Sequence, residues 1–542
     1  MSFLRLLCCC VLLACSGRAG SQSLEPAERL LDERRDDGER ARLRPGALPS
    51  PGTRPPVDLY ASPAELAEEG VTMRDVRIEL DTAGLLPDAA VRPLLDMFAA
   101  QPMGARRLAL LLRRIDAALV ERGFITSRTR LERIDPARSL VRIGLVPGRV
   151  EAIRSPATTP AAMSRVLPLA VGDLLTQEAL EQGVQQINRL RMAQARVNVL
   201  PGQEAGGSLI DVVLPVTHAA TLSLGADNLG TRATGSGRLR VGLRTANRLG
   251  LFEEFQLAHV RSAGSAAALA SLSLPDGYRT WSFTMSGSHS DSTIAGFPFE
   301  SSARTVVLGA NQVLALNASR RDALDLSFQR TRVARTLGPV ELATRRSTVA
   351  RLAWSRVGRH DDSQYYVEPA LVSGLRGFGA DEDVELLPRG HTHYQFTKWS
   401  LALGLVARDA AGSLELASQF HLQGSATGLP SGEQIHLGGL ASVRGFDEAA
   451  IAGDRGYLLR CELRFPSAFK RSEYALTPFL HLDQGAAERV GDQRHVLAGA
   501  GAGLRGATAD LVWEAVLSTP LRRPEDQRAA GWTFRFSIGY AI

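Results

Sequence analysis

The chain has 542 residues, of which 44% are apolar, and a formal net charge of +6 at pH 7. This length exceeds what one hydrophobic core supports, so we expect two or more domains. After residues 1–20 no run of about 18 apolar residues occurs, so no membrane-spanning helix is expected. Lys398 and Lys470 are the only lysines, and the arginines are interspersed with acidic residues. Without a basic stripe, a nucleic-acid partner is not expected.

Cysteine and histidine usage limits the chemistry of the chain. Four of the five cysteines lie within residues 1–20, which leaves Cys461 as the one thiol of the expected mature protein. A disulfide framework and a structural zinc site are therefore both excluded within a monomer. His391 and His393 alternate on one face, but no third metal ligand is near in sequence. Since no nucleophile elbow, zinc-protease motif or phosphate-binding loop occurs either, we expect no cofactor, no metal and no enzyme.

Residues 1–20 predict an export signal, because Arg5 precedes the apolar run Leu6–Ala14 and small residues follow. Cleavage is expected after Ala19. The alternative makes Leu12–Cys15 a lipobox in which Cys15 carries a lipid, although leucine is poor at its second position. Either way the segment indicates export from the cytoplasm.

Residues 21–44 predict a charged helix, since apolar side chains between Leu24 and Leu31 recur at helical spacing among Glu, Asp and Arg. Opposite charges three and four residues apart suit a solvated helix, and a disordered charged tail is the alternative. Five prolines between Pro45 and Pro56 then make residues 45–72 an extended, semi-rigid linker.

Residues 73–148 predict a small α/β unit. A strand alternates over Val76–Leu80, two amphipathic helices follow, and Gly123 ends the second helix in the usual C-terminal position. Strands are predicted at Phe124–Leu131 and Leu140–Val146. The order is therefore β-α-α-β-β.

Residues 149–217 predict a second unit with the same order. A short helix lies near Met163–Leu167, and Thr176 is the predicted N-cap of a longer one. The predicted strands are Val150–Ile153, Arg196–Leu200 and Leu209–Leu214. Units of this kind have an exposed sheet edge that can capture an extended peptide by strand addition, with a purely structural spacer as the alternative.

Residues 218–542 change character, because strict alternation replaces helical periodicity, as in Trp281, Phe283 and Met285. Sustained alternation broken by Gly, Asp and Asn is typical of a transmembrane antiparallel β-barrel, with a large soluble β-sandwich as the alternative. At roughly 20 residues per strand and turn, this region accommodates about 16 strands, the even number that bacterial barrels require.

A glycine-hinged segment, Gly438–Phe446, interrupts the strand pattern, and Gly453–Arg460 follows it. Glycines allow this segment to fold back as a packed hairpin with Arg444 at its tip. A guanidinium in a confined space requires a carboxylate, and Asp483 within Phe479–Gly485 is the matching candidate.

This combination resembles the signature of the two-partner secretion transporters, the TpsB family. In that family a long loop carries V-R-G-Y/F into the barrel lumen, where its arginine bonds an aspartate in an x-x-D-x-G strand motif. The resemblance implies a lumenal loop over residues 432–456. The loop anchor would be Val443, Arg444, Gly445 and Phe446, and the partners in the barrel wall would be Asp483 and Gly485. His481 departs from the Phe or Gly usual at its position.

The resemblance extends over nearly the whole mature chain. The two small units are similar to polypeptide-transport-associated (POTRA) domains, the first at 73–148 and the second at 149–217. Residues 21–44 are similar to the family's plug helix, which threads the barrel pore, and Asp227–Gly230 resembles its first barrel hairpin.

The family implies an outer-membrane transporter with its POTRA domains in the periplasm. These domains would recognise one large exoprotein of adhesin or haemolysin type, which crosses the barrel unfolded to the cell surface. Further implied partners are outer-membrane lipid, lipopolysaccharide and, during biogenesis, the barrel-assembly machinery. One alternative is an outer-membrane protein insertase, although insertases usually carry three or more POTRA domains and lack the plug and linker. The other is a passive porin-like channel, which needs neither POTRA domains nor the V-R-G-F segment.

Two further motifs do not fit their usual roles. Gly501–Gly506 matches G-x-G-x-x-G, but no helix follows it, so small residues on one face of a strand explain it better than a dinucleotide site. Arg376–Phe378 repeats the R-G-F triplet without the glycine pair before it, and we interpret it as an unrelated loop.

Overall fold

The computed structural model describes residues 26–42, 62–68, 70–156, 158–190, 195–214, 220–294, 296–446, 450–466, 469–471, 474–524 and 531–542. The predicted export signal and most of the predicted linker lie outside these residues. No helix within the described ranges is both long and apolar enough to cross a membrane.

The first small unit follows the predicted order. Helix α1 (Pro26–Arg42) comes before it. The unit comprises β1 (Arg77–Asp81), α2 (Asp88–Ala99), α3 (Ala105–Glu121), β2 (Arg128–Asp135), a 3-10 turn (Pro136–Arg138) and β3 (Leu140–Val146). The sheet order is β1-β3-β2, with β1 parallel and β2 antiparallel to β3. The core is formed by one face of each helix against β3 and includes Phe98, Leu111, Ile115, Leu119, Val141 and Ile143.

The end of α3 and the start of β2 test two of the predicted boundaries. Gly123 follows α3 with φ +88°, as its predicted position after the helix requires. The strand predicted to begin at Phe124 begins instead at Arg128, because the Phe124 amide donates to the Leu119 carbonyl at 2.9 Å. Phe124 therefore still belongs to the helix end and packs against the core.

The last part of the predicted linker is fixed to the first unit. The Glu68 carboxylate accepts hydrogen bonds from the backbone amides of Arg106 (3.1 Å) and Arg107 (2.6 Å) at the start of α3. The buried Arg107 side chain donates in turn to the carbonyls of Pro63 (2.7 Å) and Leu66 (2.6 Å). A carboxylate at a helix N-terminus satisfies amides that have no partner within the helix, so residues 62–68 act as part of the folded unit.

The second small unit repeats the scheme. It comprises β4 (Arg149–Arg154), α4 (Pro160–Val166), α5 (Gln177–Asn188), β5 (Arg196–Pro201) and β6 (Gly207–Val213), with sheet order β4-β6-β5. Thr176 is confirmed as the N-cap of α5, since its hydroxyl accepts from the Ala179 amide at 3.3 Å.

Sixteen antiparallel strands in the described part of the chain close into a barrel. The first eight are β7 (Ala220–Asp227), β8 (Arg238–Ala246), β9 (Glu254–Arg261), β10 (Ser265–Asp276), β11 (Arg279–Ile294), β12 (Phe297–Leu316), β13 (Arg320–Leu337) and β14 (Val340–His360). The next three are β15 (Ser363–Gly374), β16 (Thr397–Arg408) and β17 (Glu415–Ser425). A 3-10 turn (Ser431–Glu433) and two short strands, β18 (Ile435–Leu437) and β19 (Ile451–Gly453), lie in the connection that follows.

The last five barrel strands complete the wall. They are β20 (Arg455–Arg464) with its short continuation β21 (Phe469–Arg471), β22 (Tyr474–Glu488), β23 (His495–Ala507), β24 (Leu511–Arg522) and β25 (Thr533–Ala541). β25 pairs with β7, with Ser537 opposite Asp227, so the first and last strands close the barrel. The predicted strand number is confirmed.

The predicted alternation has its physical basis in the two faces of the wall. Trp281, Phe283 and Met285 of β11 are exposed on the outside, while Thr284 and Ser286, which flank Met285, are buried on the inside. An outward apolar band around a polar interior is the arrangement that a lipid bilayer requires of a barrel.

The second small unit is attached directly to one end of the barrel. Phe252, in the turn between β8 and β9, is buried within the hydrophobic core of that unit. Gln186 of α5 donates to the carbonyls of Gly277 (3.0 Å), in the turn between β10 and β11, and of Arg279 (2.8 Å), the first residue of β11. We call this end of the barrel the POTRA end.

Helix α1 lies inside the barrel, against the wall near its first strands. Arg238 of β8 bonds the Glu33 carboxylate at 2.8 Å, and Arg34 donates to the inward-facing Thr284 hydroxyl at 3.2 Å. Arg238 is also held by Asp227 of β7 at 2.7 Å. The helix is therefore connected to the wall next to the seam between the first and last strands.

Candidate functional site

The connection between β17 and β20 folds back into the lumen. β18 and β19 pair antiparallel, with Ile435 opposite Gly453 and Leu437 opposite Ile451. Around this hairpin a small apolar cluster forms. Its buried members are Ile435, Leu437, Val443, Phe446 and Ile451 of the loop with Ala487 and Leu497 of the wall. The loop therefore has a core of its own and is a folded element inside the barrel.

The turn at the tip of this lumenal loop requires glycine. Gly438 and Gly445 have φ of +119° and +103°, in the left-handed region that side chains disfavour. A Cβ at Gly445 would also lie 2.8 Å from the Thr519 carbonyl carbon of β24. Ser442 closes the turn by accepting from the Gly438 amide at 2.8 Å. This turn holds the Arg444 side chain against the wall.

Arg444 meets Asp483 of β22 in a two-pronged ion pair. Its Nε and Nη2 donate to the two carboxylate oxygens of Asp483 at 2.6 and 2.7 Å, and its backbone amide adds a third bond at 3.1 Å. The exposed fraction of the side chain is 1% for Arg444 and 0% for Asp483. Paired bonds of this kind fix direction as well as distance, which a lysine could not do.

A second carboxylate extends the pair into a network. Arg444 Nη1 donates to Glu462 of β20 at 2.6 Å, and Glu462 also accepts from Arg505 of β23 at 2.8 and 2.9 Å. Arg464 donates to Glu462 at 2.8 Å, and Arg505 reaches Glu514 of β24 at 2.8 Å. Positive and negative groups thus alternate across four neighbouring wall strands.

Such a network is stable only when complete. An isolated buried charge loses its hydration, and removing one partner of a buried pair costs about 3–5 kcal/mol. Arginine stays protonated in proteins, so it cannot avoid this cost by becoming neutral. Among the described residues of the loop, Arg444 is the one member of this network, and it therefore locks the loop to the wall.

A row of glycines on β23 makes room for the anchor. Gly499 faces the Arg444 carbonyl, and a Cβ at Gly501 would lie 2.7 Å from His481 Nε2. His481 is buried there, with Nδ1 3.4 Å from Asp483 and Nε2 2.9 Å from the Ser518 hydroxyl. The G-x-G-x-x-G match thus supplies space for bulky neighbours on a strand, and the histidine at the unusual position packs beside the aspartate.

The base of the lumenal loop is held by a second buried carboxylate. Asp454 accepts from the amides of Leu429 (2.8 Å) and Val490 (2.9 Å) and from the Gln434 side chain (2.9 Å). Lys398 of β16 adds an ion pair to Glu433 at 2.7 Å. The loop is therefore held at both its base and its tip.

The structure brings the six residues of the predicted anchor into one region. Arg444 contacts Asp483, Val443 and Phe446 belong to the apolar cluster, and Gly445 forms the turn. Gly485 gives Leu437 room, because a Cβ there would lie 2.8 Å from Leu437 Cδ1.

Sequence reasoning missed the rest of the network. Glu462, Arg464 and Arg505 were not among the predicted site residues, although Arg460, Glu462 and Arg464 alternate along one strand. Three charged side chains on the lumenal face of a predicted barrel strand next to the loop were the available signal.

Sequence comparisons place these features among known families. A profile described as haemolysin secretion/activation protein ShlB/FhaC/HecB matches residues 206–506. Profiles described as POTRA domain, ShlB-type, and as POTRA domain match residues 76–148 and 149–201.

Individual relatives agree. The chain is 30% identical over 424 residues to the outer membrane transporter CdiB of Escherichia coli O6:K15:H31 (strain 536 / UPEC), covering 75% of this chain and 72% of the relative. It is 23% identical to the hemolysin transporter protein HpmB of Proteus mirabilis, covering 79% of this chain and 75% of that one. The solved structure of CdiB from Escherichia coli superposes with a TM-score of 0.84 at 26% identity, covering 96% of this chain and 100% of that one.

Proposed function

Because the chain belongs to the haemolysin secretion/activation protein family ShlB/FhaC/HecB, we propose that it exports one large exoprotein by two-partner secretion. It is an outer-membrane transporter whose two POTRA domains lie in the periplasm, followed by a 16-strand barrel. The exoprotein, of adhesin or haemolysin type, is recognised by the POTRA domains and crosses the barrel unfolded. Its folding outside the cell supplies the direction, and no catalytic step is proposed.

The observation that carries this proposal is the burial of Arg444 between Asp483 and Glu462. It keeps the lumenal loop against strands β20–β24, whereas helix α1 contacts β8 and β11. The loop and the helix are therefore bonded to different parts of the barrel wall. We assign Val443, Arg444, Gly445 and Phe446, with Asp483 and Gly485, to a fixed anchor beside the export path.

Helix α1 is the better candidate for the movable part. Its Glu33 is 34% exposed in the ion pair with Arg238, so water screens that contact more than the fully buried Arg444 pair. Withdrawal of the helix would open the lumen on the β8–β11 side. The anchored loop would then form one boundary of the pore.

Strand addition to the second POTRA domain is the proposed mode of exoprotein capture. The β4 edge of its sheet is covered, because the Val150 amide bonds the Asp173 carbonyl at 2.9 Å and the Gly172 amide bonds the Val150 carbonyl at 2.8 Å. β5 pairs on its other side with β6. Residues 196–201 therefore offer the better edge for an extended segment of the exoprotein.

The domain limits that we propose follow from the sequence. They are a signal peptide at 1–20, the plug helix at 21–44, a linker at 45–72, POTRA domains at 73–148 and 149–217, and the barrel at 218–542 with its lumenal loop at 432–456. Outer-membrane lipid and lipopolysaccharide would surround the barrel, and the barrel-assembly machinery would insert it.

The test is secretion of the exoprotein, which is to be identified first among the open reading frames next to this gene. We expect the wild-type protein to release it to the medium and a variant lacking residues 76–213 to retain it in the periplasm. Folded barrel in the outer membrane, measured by heat-dependent migration in gels, controls for assembly. Unchanged secretion by the deletion variant would contradict the proposal, and lost assembly of other barrels in a strain lacking the protein would favour an insertase.

A further inference from the structure

The outer wall formed by β11–β14 carries a row of arginines. Arg304 of β12 lies directly opposite Arg332 of β13, and Arg332 lies directly opposite Arg346 of β14. Residues directly opposite in antiparallel strands share one face, so all three side chains belong to the same surface. Arg330, two positions along β13, shares that face as well. All four are exposed.

The row faces outward, at the end of the barrel away from the POTRA domains. Its face is shared by Leu324 and Leu326, two exposed apolar residues that lie nearer the POTRA end of β13. Arg332 is ten residues beyond Asp322, which is about 33 Å along the strand and about 25 Å along the membrane normal at a tilt near 40°. That height equals the apolar band of an outer-membrane barrel, so the row lies at the headgroups of the outer leaflet.

Arginines at the other rim of the same wall are paired. Arg356 donates to Asp322 through Nε (2.6 Å) and Nη2 (3.0 Å), and Arg320 lies 3.6 Å from the same carboxylate. At the outer rim no carboxylate of the described residues lies within 4.0 Å of the four guanidinium groups. The Asp381 carboxylate lies near Arg346, but it accepts a hydrogen bond from the Arg346 backbone amide at 2.8 Å and not from the guanidinium group.

Like charges directly opposite on a sheet destabilise it. Three arginines in register therefore need an external anion, and several phosphates on one rigid headgroup satisfy them better than separate ions do.

The loop between β15 and β16 adds an apolar contact beside the row. Gly377 and Gly379 have φ of +100° and +72°, and between them Phe378 is 68% exposed. Its ring packs edge-on against Phe328 of β13, with the centroids 5.1 Å apart. Phe328 lies two positions from Arg330 on the same face. The second R-G-F triplet thus presents an aromatic side chain to lipid next to the cations.

We propose that Arg304, Arg330, Arg332 and Arg346 bind the phosphate groups of one lipopolysaccharide molecule in the outer leaflet, with Phe378 against its acyl chains. This inference locates the lipopolysaccharide contact that the proposed function includes. The site lies on the lipid-facing wall, away from the lumenal anchor, so it is separable from export.

The test uses the full chain refolded in a zwitterionic detergent free of lipopolysaccharide. The row variant carries Arg332→Gln and Arg346→Gln, and the control carries Arg279→Gln and Arg320→Gln. The control removes the same charge from the same face at the POTRA end. Thermal unfolding is followed by fluorescence while diphosphoryl lipid A, dephosphorylated lipid A or inorganic phosphate is added.

We expect diphosphoryl lipid A to raise the unfolding midpoint of the wild type and of the control. The row variant should need about a hundredfold more lipid, at about tenfold for each arginine lost. Without lipid its midpoint should equal or exceed that of the wild type, because the repulsion is relieved. A purely structural role for the arginines predicts a lower midpoint instead.

Three results would contradict the proposed lipopolysaccharide site. These are an unchanged response of the row variant, an equal effect of dephosphorylated lipid A, and full stabilisation by inorganic phosphate at the same concentration. Secretion by the row variant is expected to stay within twofold of the wild type, so a failure of lipid binding would be distinguished from a failure of export.

Discussion

The two R-G-F triplets of this chain have opposite environments. Arg444 and Phe446 are buried in the lumen, where the arginine completes a charge network and the phenylalanine joins an apolar cluster. Arg376 and Phe378 are exposed on the outside of the wall. Both glycines have φ near +100°, so the local turn is similar and the surroundings differ.

The difference shows that the triplet itself specifies only a turn. Asp483 and Glu462 give the first triplet its role, because they supply the carboxylates that a buried guanidinium needs. The second triplet has Phe328 as its neighbour and faces lipid. Substitutions at matching positions therefore should differ in effect, and they test this comparison directly.

The largest effect is expected for Arg444→Ala. It leaves Asp483 and Glu462 without their shared partner and should cost about 3–5 kcal/mol of folding free energy, with loss of secretion. The measurements are thermal unfolding in detergent and exoprotein release. Arg376→Ala is the matched control, and it should leave both unchanged. If the two variants lost stability and secretion equally, the two triplets would not differ in role.

The second-largest effect is expected for Glu462→Gln. The amide keeps the shape but removes the charge that Arg444, Arg464 and Arg505 share, which should cost about 2–3 kcal/mol. Glu79→Gln in the first POTRA domain, where the carboxylate meets Arg142 on the surface, serves as a control and should leave the unfolding midpoint nearly unchanged, because water screens the exposed pair. A loss at Glu462 no greater than at Glu79 would argue against a network.

Gly445→Ala should have an intermediate effect. A φ of +103° strains any side chain, and the new methyl group would meet Thr519, so about 1–3 kcal/mol is expected. Gly377→Ala has a similar φ of +100° but open space around it, so it isolates the backbone contribution. If both substitutions lower the unfolding midpoint equally, the contact of the new methyl group with β24 contributes nothing to the loss of stability.

The smallest effect is expected for Phe378→Ala, which removes one edge-on aromatic contact worth about 0.5–1.5 kcal/mol. Secretion should be unchanged. Phe446→Ala, by contrast, removes a buried ring and should cost about 3 kcal/mol. The check is the unfolding midpoint of each variant. Phe446→Ala should lower it more than Phe378→Ala does if the two triplets differ in burial.

Local patterns made much of the fold predictable. Alternation along single strands indicated the barrel, the length of that region indicated its strand number, and the order β-α-α-β-β indicated both small units, as observed. Thr176 and Gly123 marked helix ends correctly because capping depends on neighbouring backbone groups. Strand alternation and helix capping each depend on residues that lie only a few positions apart in the sequence.

The remaining features depend on register between strands. Glu462 joins Arg444 to Arg505 only because β20, β22 and β23 align as they do. Arg304, Arg332 and Arg346 form a row for the same reason, and nothing in their sequence spacing indicates it. A shift of one residue would turn each side chain to the other face, so no single strand contains the information.

The anchor also bears on the order in which the barrel assembles. Arg444 and Asp483 are 39 residues apart, whereas Phe536 of the last strand bonds Asn228 beside the first strand across 308 residues. Because the entropy lost on closing a loop grows with its length, the short-range lock is expected to precede the long-range seam. On this order, we expect the chain to enter the bilayer with its innermost charges already neutralised by each other, and the seam to be the last contact to form.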